Sequence, residues 1–344
     1  MPITCPLPDL SQETITLGHG GGGLLTHRLL NTVFAELGNP FLDQQHDGAT
    51  IELNGRVAFS TDSYVVDPLF FPGGDIGELA VNGTVNDLAM CGAAARYLSL
   101  SFIIEEGLPM ADLRRVITSI RRAAELAQVQ IVTGDTKVVE RGKGDKLFVN
   151  TSGIGLIHPR AQIHHQRIRP GDRLVLSGKL AAHGTAILSV RKGLEFETAV
   201  CSDTVALGAT VTRLLDGWGD HIKFMRDPTR GGLASVLNEV AELTGLGYFI
   251  EQNNLPIDDQ VEAACEMLGL DPLYVANEGI FLAIVDRSVA ERFTEALQCE
   301  TTGRHAAIIG DVREEYGGKV VLRSPVGGRR IVGFLTGEQL PRIC

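Results

Sequence analysis

Ala111-Asp112-Leu113-Arg114-Arg115-Val116-Ile117-Thr118-Ser119-Ile120-Arg121-Arg122-Ala123-Ala124-Glu125-Leu126-Ala127-Gln128 divides its residues between two surfaces at helical spacing. Leu113, Val116, Ile117, Ile120, Ala124 and Ala127 fall on one stripe, with Arg114, Arg115, Arg121 and Arg122 off it. Such a helix covers an apolar surface with one side and meets water with the other. Residues 97–104, just before it, are β-branched and aromatic enough to be a strand and to supply part of that surface. Residues 56–60, 147–157, 173–177, 280–285 and 319–323 read as further strands. Two more helices are expected, one from Leu25, Leu29, Val33 and Leu37 closed by Gly38, the other from Ile76, Leu79, Ala80, Thr84, Leu88 and Cys91. Alternating strands and amphipathic helices predict an α/β fold, or α+β where strands cluster.

At 344 residues the chain is long enough for two domains. The turn Ile168-Arg169-Pro170-Gly171-Asp172 is the expected connector, because Pro170 extends Arg169 and Gly171 supports a reversal. The expected division is an N-terminal domain at 1–168, a C-terminal domain at 169–310 and a Gly- and Arg-rich closing segment at 311–344. A hydrophobic fraction of 44% with 21% charged residues is that of a globular protein, and no apolar run reaches the ~20 residues a bilayer requires. The first ten residues lack a basic residue followed by an apolar stretch, so a cytoplasmic address is the default. Six scattered cysteines without a CxxC pair are expected to be buried thiols rather than zinc ligands. A net charge of -11 without any Lys/Arg stripe argues against nucleic acid and for small molecules and proteins as partners.

Gly18-His19-Gly20-Gly21-Gly22-Gly23 precedes the helix starting near Leu24. Unobstructed backbone N–H groups at a helix start suit an anion, and a flexible glycine loop is the plain alternative. Neither a complete dinucleotide unit nor GxxxxGK[ST] is present. Asp47, Asp62, Asp87 and Asp135 each stand singly beside small or polar neighbours at expected element ends. Taken alone each is a turn or cap residue. Converging, they would hold Mg²⁺ against a triphosphate. Asp227-Pro228-Thr229-Arg230-Gly231-Gly232 opens a helix with the parts of an anion site, or of an ordinary N-cap. Lys137, two residues after Asp135, is a candidate for stabilising charge on a transferring phosphoryl group, or else an exposed strand-edge lysine. His19 either touches phosphate or caps the helix, and His164 and His165 read as surface residues.

These segments together resemble the purM-like (aminoimidazole ribonucleotide synthetase-like) ATP-binding superfamily. Thr61-Asp62-Ser63-Tyr64-Val65-Val66-Asp67-Pro68, Gly83-Thr84-Val85-Asn86-Asp87-Leu88-Ala89, Gly134-Asp135-Thr136-Lys137-Val138-Val139, Asn277-Glu278-Gly279 and the closing Pro341-Arg342-Ile343-Cys344 resemble, more closely, the HypE family of hydrogenase maturation carbamoyl dehydratases. The resemblance implies a two-domain fold whose N-terminal sheet pairs across a homodimer into a β-barrel, followed by a C-terminal α/β domain. It further implies Asp47, Asp62, Asp87 and Asp135 as Mg²⁺ ligands, with Gly20, Gly21, Gly22, Gly23 and Asn86 near the phosphates of ATP. Asp227, Thr229 and Arg230 are expected near the nucleotide, and Cys344, Lys137 and Glu278 as the catalytic set, Glu278 accepting protons.

In that family's chemistry the terminal thiol would carry a carbamoyl group received from the carbamoyltransferase HypF. Losing the carbamoyl oxygen needs ATP, because oxide leaves poorly, and the resulting thiocyanate would pass cyanide to a HypC–HypD iron scaffold. A thiol at the end of a mobile tail can meet a donor, enter a closed site and leave again, and tethering raises its local concentration to the order of millimolar. Two other functions remain open on the residues alone. A small-molecule kinase or cyclo-ligase of the same superfamily would leave Cys344 incidental, and a docking scaffold would hydrolyse no ATP.

Overall fold

The computed structural model describes residues 13–44, 47–193, 200–335 and 342–344. Pro341, the first residue of the closing Pro341-Arg342-Ile343-Cys344 motif, lies outside them. The first half contains α1 (Leu24–Leu37), β1 (Val57–Tyr64), β2 (Phe70–Phe71), β3 (Gly74–Asp75), α2 (Ile76–Met90), β4 (Ala93–Glu105), α3 (Met110–Ala127), β5 (Gln130–Val139) and β6 (Leu147–Ile157). Four of these strands form one sheet in the order β1-β6-β4-β5, antiparallel except for the β4–β5 pair that α3 connects.

Helix α3 carries the stripe read from the sequence. Leu113, Val116, Ile117, Ile120 and Ala124 are buried in the core shared by α2 and the sheet. Helix α2 starts where the Asp75 carboxylate accepts the Gly77 and Glu78 N–H groups at 2.8 and 3.1 Å. All its residues are buried except Glu78 and Asp87. Both helices cover one face of the sheet. The other carries no helix, and there Val57, Phe59 and Ile103 are 48%, 67% and 45% exposed.

After a turn in which Asp172 accepts the Arg169 N–H at 2.8 Å, the chain forms β7 (Arg173–Leu176), α4 (Ala182–Lys192), α5 (Gly208–Trp218), β8 (Ile222–Arg226), α6 (Gly232–Thr244), β9 (Gly247–Glu251), α7 (Asp259–Leu268), β10 (Leu282–Val285), α8 (Ala290–Gln298), β11 (Ala307–Arg313), β12 (Val320–Arg323) and β13 (Arg329–Val332). A seven-stranded sheet runs β13-β12-β9-β11-β7-β10-β8. Alternation along the strands feeds two cores. Leu174, Leu176, Leu282 and Ile284 pack with α6 and α7, while Val175, Ala283 and Val285 pack with α5 and α8. Ala89 and Met90 of α2 enter the second of these cores, so the two halves share packed surface. Among the described residues no helix is long and apolar enough to cross a membrane.

Three expectations need correction. Strand β1 continues past Ser60 to Tyr64, pairing with β6 throughout, so Asp62 lies inside a strand. Asp87 likewise sits within α2, and Asp135 within β5, a strand absent from the sequence reading. Site-facing polar residues interrupt the apolar alternation there, and Gly134 is required because a Cβ would lie 2.0 Å from the Leu100 carbonyl oxygen. The cysteines are not uniformly buried either. Cys91, Cys201 and Cys299 are exposed, whereas Cys265 and Cys344 are buried.

Candidate active site

Asp87 is one of the two residues of the buried helix α2 that are not themselves buried. Its Oδ2 accepts the Ser60 hydroxyl of β1 at 2.7 Å, and Asp62, two residues along β1, stands on the same helix-covered face. Burial raises the Asp87 carboxyl above its ordinary range, the Ser60 bond opposes this, and the Asp62 charge adds to it. Asp227, between β8 and α6, is pushed up to about 7, first by burial and then by Asp87, with Arg226 opposing. Thr229 and the exposed Arg230 follow it in the same loop.

Glu278 faces these carboxylates from the loop before β10. It is 4% exposed, and its Oε1 has no hydrogen-bond partner. Burial holds its carboxyl well above the usual range, and Asp227, Asp203, Asp62 and Asp87 push it further. A backbone scaffold fixes its place. Asp203 accepts the Glu278 N–H at 3.1 Å and the Gly279 N–H at 3.0 Å. Asn86 donates to the Glu278 carbonyl at 3.2 Å and the Val205 carbonyl at 3.0 Å, and accepts the Leu207 N–H at 2.8 Å. The amide expected near phosphates is therefore engaged within the protein, where it ties α2 to the Glu278 loop. Asn277 donates to the Pro228 carbonyl at 2.9 Å, joining that loop to the Asp227 turn.

The end of the chain is docked here. Ile343 and Cys344 are 3% and 8% exposed and belong to the core of the first sheet. Val65 donates its N–H to the Cys344 main-chain oxygen at 3.0 Å. Arg342, in the left-handed region at φ 55°, pairs with Asp145 and donates to the Val65 carbonyl, and Arg191 donates to the carbonyls of Arg342 and Asp67. Burial pushes the Cys344 thiol up to about 12, Glu278 adds to the rise, and Arg230 offsets part of it. In the docked position the free sulfur is a neutral thiol.

The remaining candidates lie elsewhere in the same chain. Asp135 and Lys137 form an exposed ion pair at 2.7 Å on β5, which lowers the Asp135 carboxyl. Their register partners on β4 are Ser101 and Ile103, on the helix-free face. Three strand spacings, about 14 Å, separate β5 from β1. A cavity of about 660 Å³ beside α1 is lined by Gly20, Gly22, Asp47, Asp135 and Lys137, with an apolar wall that includes Val33, Phe34 and Phe102. Gly20 packs so closely on β5 that a Cβ would lie 2.9 Å from that of Val138, while Gly21 and Gly23 are open. His19 is buried, its Nδ1 accepting the Thr16 N–H at 3.0 Å, and so acts as a cap. His164 is exposed and His165 stacks on it. One chain thus gathers Asp62, Asp87, Asp227, Glu278 and Cys344, and keeps Asp47, Asp135, Lys137 and the glycine loop apart from them.

Sequence reasoning missed Asp203 and His183. Asp203, pushed up to about 6 chiefly by burial, lies in an irregular stretch that meets the Glu278 loop only in three dimensions. His183, on α4, meets the tail 160 positions along the chain. No spacing signal links either pair.

A family model described as AIR synthase related protein, N-terminal domain, matches residues 45–157, and one described as AIR synthase related protein, C-terminal domain, matches residues 169–323. Carbamoyl dehydratase HypE of Azotobacter vinelandii is 50% identical over 338 residues, covering 98% of this chain and 99% of its own. The crystal structure of hydrogenase maturation protein HypE in complex with ATP superposes with a TM-score of 0.93 at 47% identity, over 96% of this chain and 100% of that one. A chain from a HypE–HypF complex superposes with a TM-score of 0.79 at 41% identity, over 91% of this chain and 100% of that one.

Proposed function

Since this chain belongs to the HypE family of hydrogenase maturation carbamoyl dehydratases, built from the two AIR synthase related domains, we propose that it dehydrates a carbamoyl group carried on its own Cys344, turning a thiocarbamate into a thiocyanate that supplies cyanide to hydrogenase iron. The observation that carries this reading is the docked Cys344 beside a buried Glu278 whose Oε1 is unpartnered.

The overall change removes the carbamoyl oxygen and both nitrogen protons while the S–C bond stays intact. ATP, when bound, supplies the exit for that oxygen as phosphate. Glu278, held above the usual carboxylate range by burial and its acidic neighbours, is a stronger base than an ordinary carboxylate and is the group to accept a nitrogen proton. Arg230 offsets negative charge near the sulfur. The docked tail buries the reacting end away from water. A free thiol raised to about 12 is a poor nucleophile, so loading belongs to an undocked tail exposed to the donor. Loading by HypF accords with the HypE–HypF complex of a relative, and HypC–HypD is the proposed acceptor.

The carboxylates fit Mg²⁺ by their chemistry. Asp62, Asp87 and Asp227 are hard oxygen donors whose mutual repulsion a dication would relieve. The helix-free sheet face, with Phe59 and Val57 exposed, fits a homodimer that joins two sheets. In that dimer Asp47, Asp135, Lys137 and Gly20–Gly23 of one protomer would serve the carboxylates of the other.

Mass spectrometry of the terminal peptide tests the proposal. Incubation with a carbamoyl donor and ATP should load Cys344 and then remove the mass of one water, and Asp87→Ala should stop that loss. Turnover of a free metabolite that persists without Cys344 would establish a kinase or ligase instead.

A further inference from the structure

One of the polar contacts that hold the tail comes from a buried imidazole. His183 is fully buried at the start of α4, with its Nε2 2.8 Å from the Ile343 carbonyl oxygen and its Nδ1 2.7 Å from the Ser202 hydroxyl oxygen. A carbonyl can only accept, so Nε2 carries the proton and Nδ1 accepts from the Ser202 O–H. The Ser202 oxygen in turn accepts the Thr204 N–H at 3.2 Å, and the Ser202 N–H donates to the Pro72 carbonyl at 2.8 Å. Thus the hydroxyl that orients the ring is itself held in place. Phe71 and the imidazole pack edge to face at a centroid distance of 5.5 Å. Burial lowers the imidazole pKa to about 4, which keeps it neutral at physiological pH.

The Ile343 side chain is seated next to the same residue. A Cβ on Gly184 would stand 3.4 Å from its Cδ1, and Ile187 and Ala276 belong to the same apolar cluster. The first turn of α4 therefore reads the penultimate residue twice, by its carbonyl and by its side chain. One residue further on, the Cys344 thiol lies within electrostatic reach of Glu278, whose charge raises it. Asp203, which accepts the Glu278 and Gly279 N–H groups, directly follows Ser202, so one short segment sets both the imidazole and the carboxylate.

We propose that His183 is the positioning residue for the tail, its Nε2–H holding the Ile343 carbonyl so that the loaded Cys344 stops against Glu278. His183 touches neither the carbamoyl group nor ATP, and acts through Ile343. This rests on the reading that dehydration takes place with the tail docked.

Two measurements on the full-length protein test it. The first is the rate of Cys344 alkylation by iodoacetamide, followed on the C-terminal peptide, which needs neither donor nor ATP and reports only how often the tail is undocked. Losing one neutral hydrogen bond should shift that equilibrium about 3- to 10-fold. His183→Ala should therefore raise the alkylation rate by that factor, and His183→Gln, whose amide N–H can reach a carbonyl, should restore part of the protection. Ser202→Ala, which leaves the imidazole but removes the hydroxyl that orients its ring, should move the rate the same way by less, and it covers the case in which His183→Ala does not fold.

The second measurement is single-turnover loss of water from preloaded carbamoyl-Cys344. It should fall, because a Cys344 no longer held through the Ile343 carbonyl stops out of line with Glu278 even when the tail is docked, while carbamoyl transfer onto Cys344 is undiminished. Unchanged alkylation in folded His183→Ala or Ser202→Ala protein overturns the assignment. If the unaltered protein never loses water from its loaded peptide, the dehydratase reading fails, and the alkylation rates still decide the role of His183.

Discussion

Glu278 and Asp203 are neighbouring carboxylates whose replacement should have opposite effects on stability. Glu278 has an unpartnered oxygen among like charges, and its carboxyl lies above its ordinary 4.5. A raised carboxyl binds its proton more tightly in the folded chain, so its stabilising contribution is complete below about 4.5 and is lost as pH rises. Glu278→Gln should therefore raise Tm at pH 8 more than at pH 5, by the equivalent of about 1–3 kcal/mol, while slowing water loss from carbamoyl-Cys344 about 10²- to 10⁴-fold. A variant no more stable at pH 8 than the parent would show that the carboxylate is satisfied. Asp203 is also raised, from 3.8 to about 6, but it accepts the N–H groups that place Glu278. Asp203→Asn should lower Tm at every pH by the equivalent of about 1–2 kcal/mol. It should also remove the part of the decline between pH 4 and pH 7 that comes from Asp203 ionising, since that group loses its contribution as pH climbs through about 6. Melting curves across this range separate the two carboxylates.

At the level of elements, α2 links packing to chemistry, because its sequence is committed to burial everywhere but at Glu78 and Asp87. Gly83 is its tightest point. An added Cβ would stand 2.2 Å from the Tyr64 hydroxyl, and Tyr64 is 1% exposed, with its oxygen 3.5 Å from that of Thr84. Gly83→Ala should be destabilising by about 1–3 kcal/mol despite alanine's better helix propensity, and Tyr64→Phe added to it should recover part of the loss in denaturant titrations. Elements with strict periodicity were legible beforehand. The stripe of α3 and the alternation of β6 appear in the sequence where they appear in the fold, since each buries one face on one core. Strand β5 was not legible, because Gly134, Asp135 and Lys137 break its alternation for reasons of close approach and ionic pairing. The site was partly legible for a similar reason. Asp62, Asp87, Glu278 and Cys344 stand in short local motifs, whereas Asp203 and His183 act through contacts that only the closed chain creates, and Asn86 lies in a legible motif yet turns its amide inward.

For the whole molecule, the division of the candidate residues between two sheet faces becomes a statement about assembly. Asp62 pairs in register with Thr151, Thr151 with Leu100 and Leu100 with Gly134, so Asp135 lies one residue off a line that crosses all four strands. The offset of one residue turns its side chain to the opposite face. No side-chain motion closes a gap of about 14 Å through a sheet, so a site needing both Asp62 and Lys137 draws them from two chains. Co-purified hybrid dimers of Asp62→Ala with Lys137→Ala decide this. Each variant alone should be inactive. In the hybrid, one site combines both defects, and the other combines the intact Asp62 of the Lys137→Ala chain with the intact Lys137 of the Asp62→Ala chain. Water loss from loaded Cys344 should then recover to about half the unaltered rate, and only on the chain that carries Lys137→Ala, because its own Glu278 and tail complete the intact site. A hybrid as inactive as its parents would mean that each chain builds its site alone, with Lys137 left as one half of a surface ion pair.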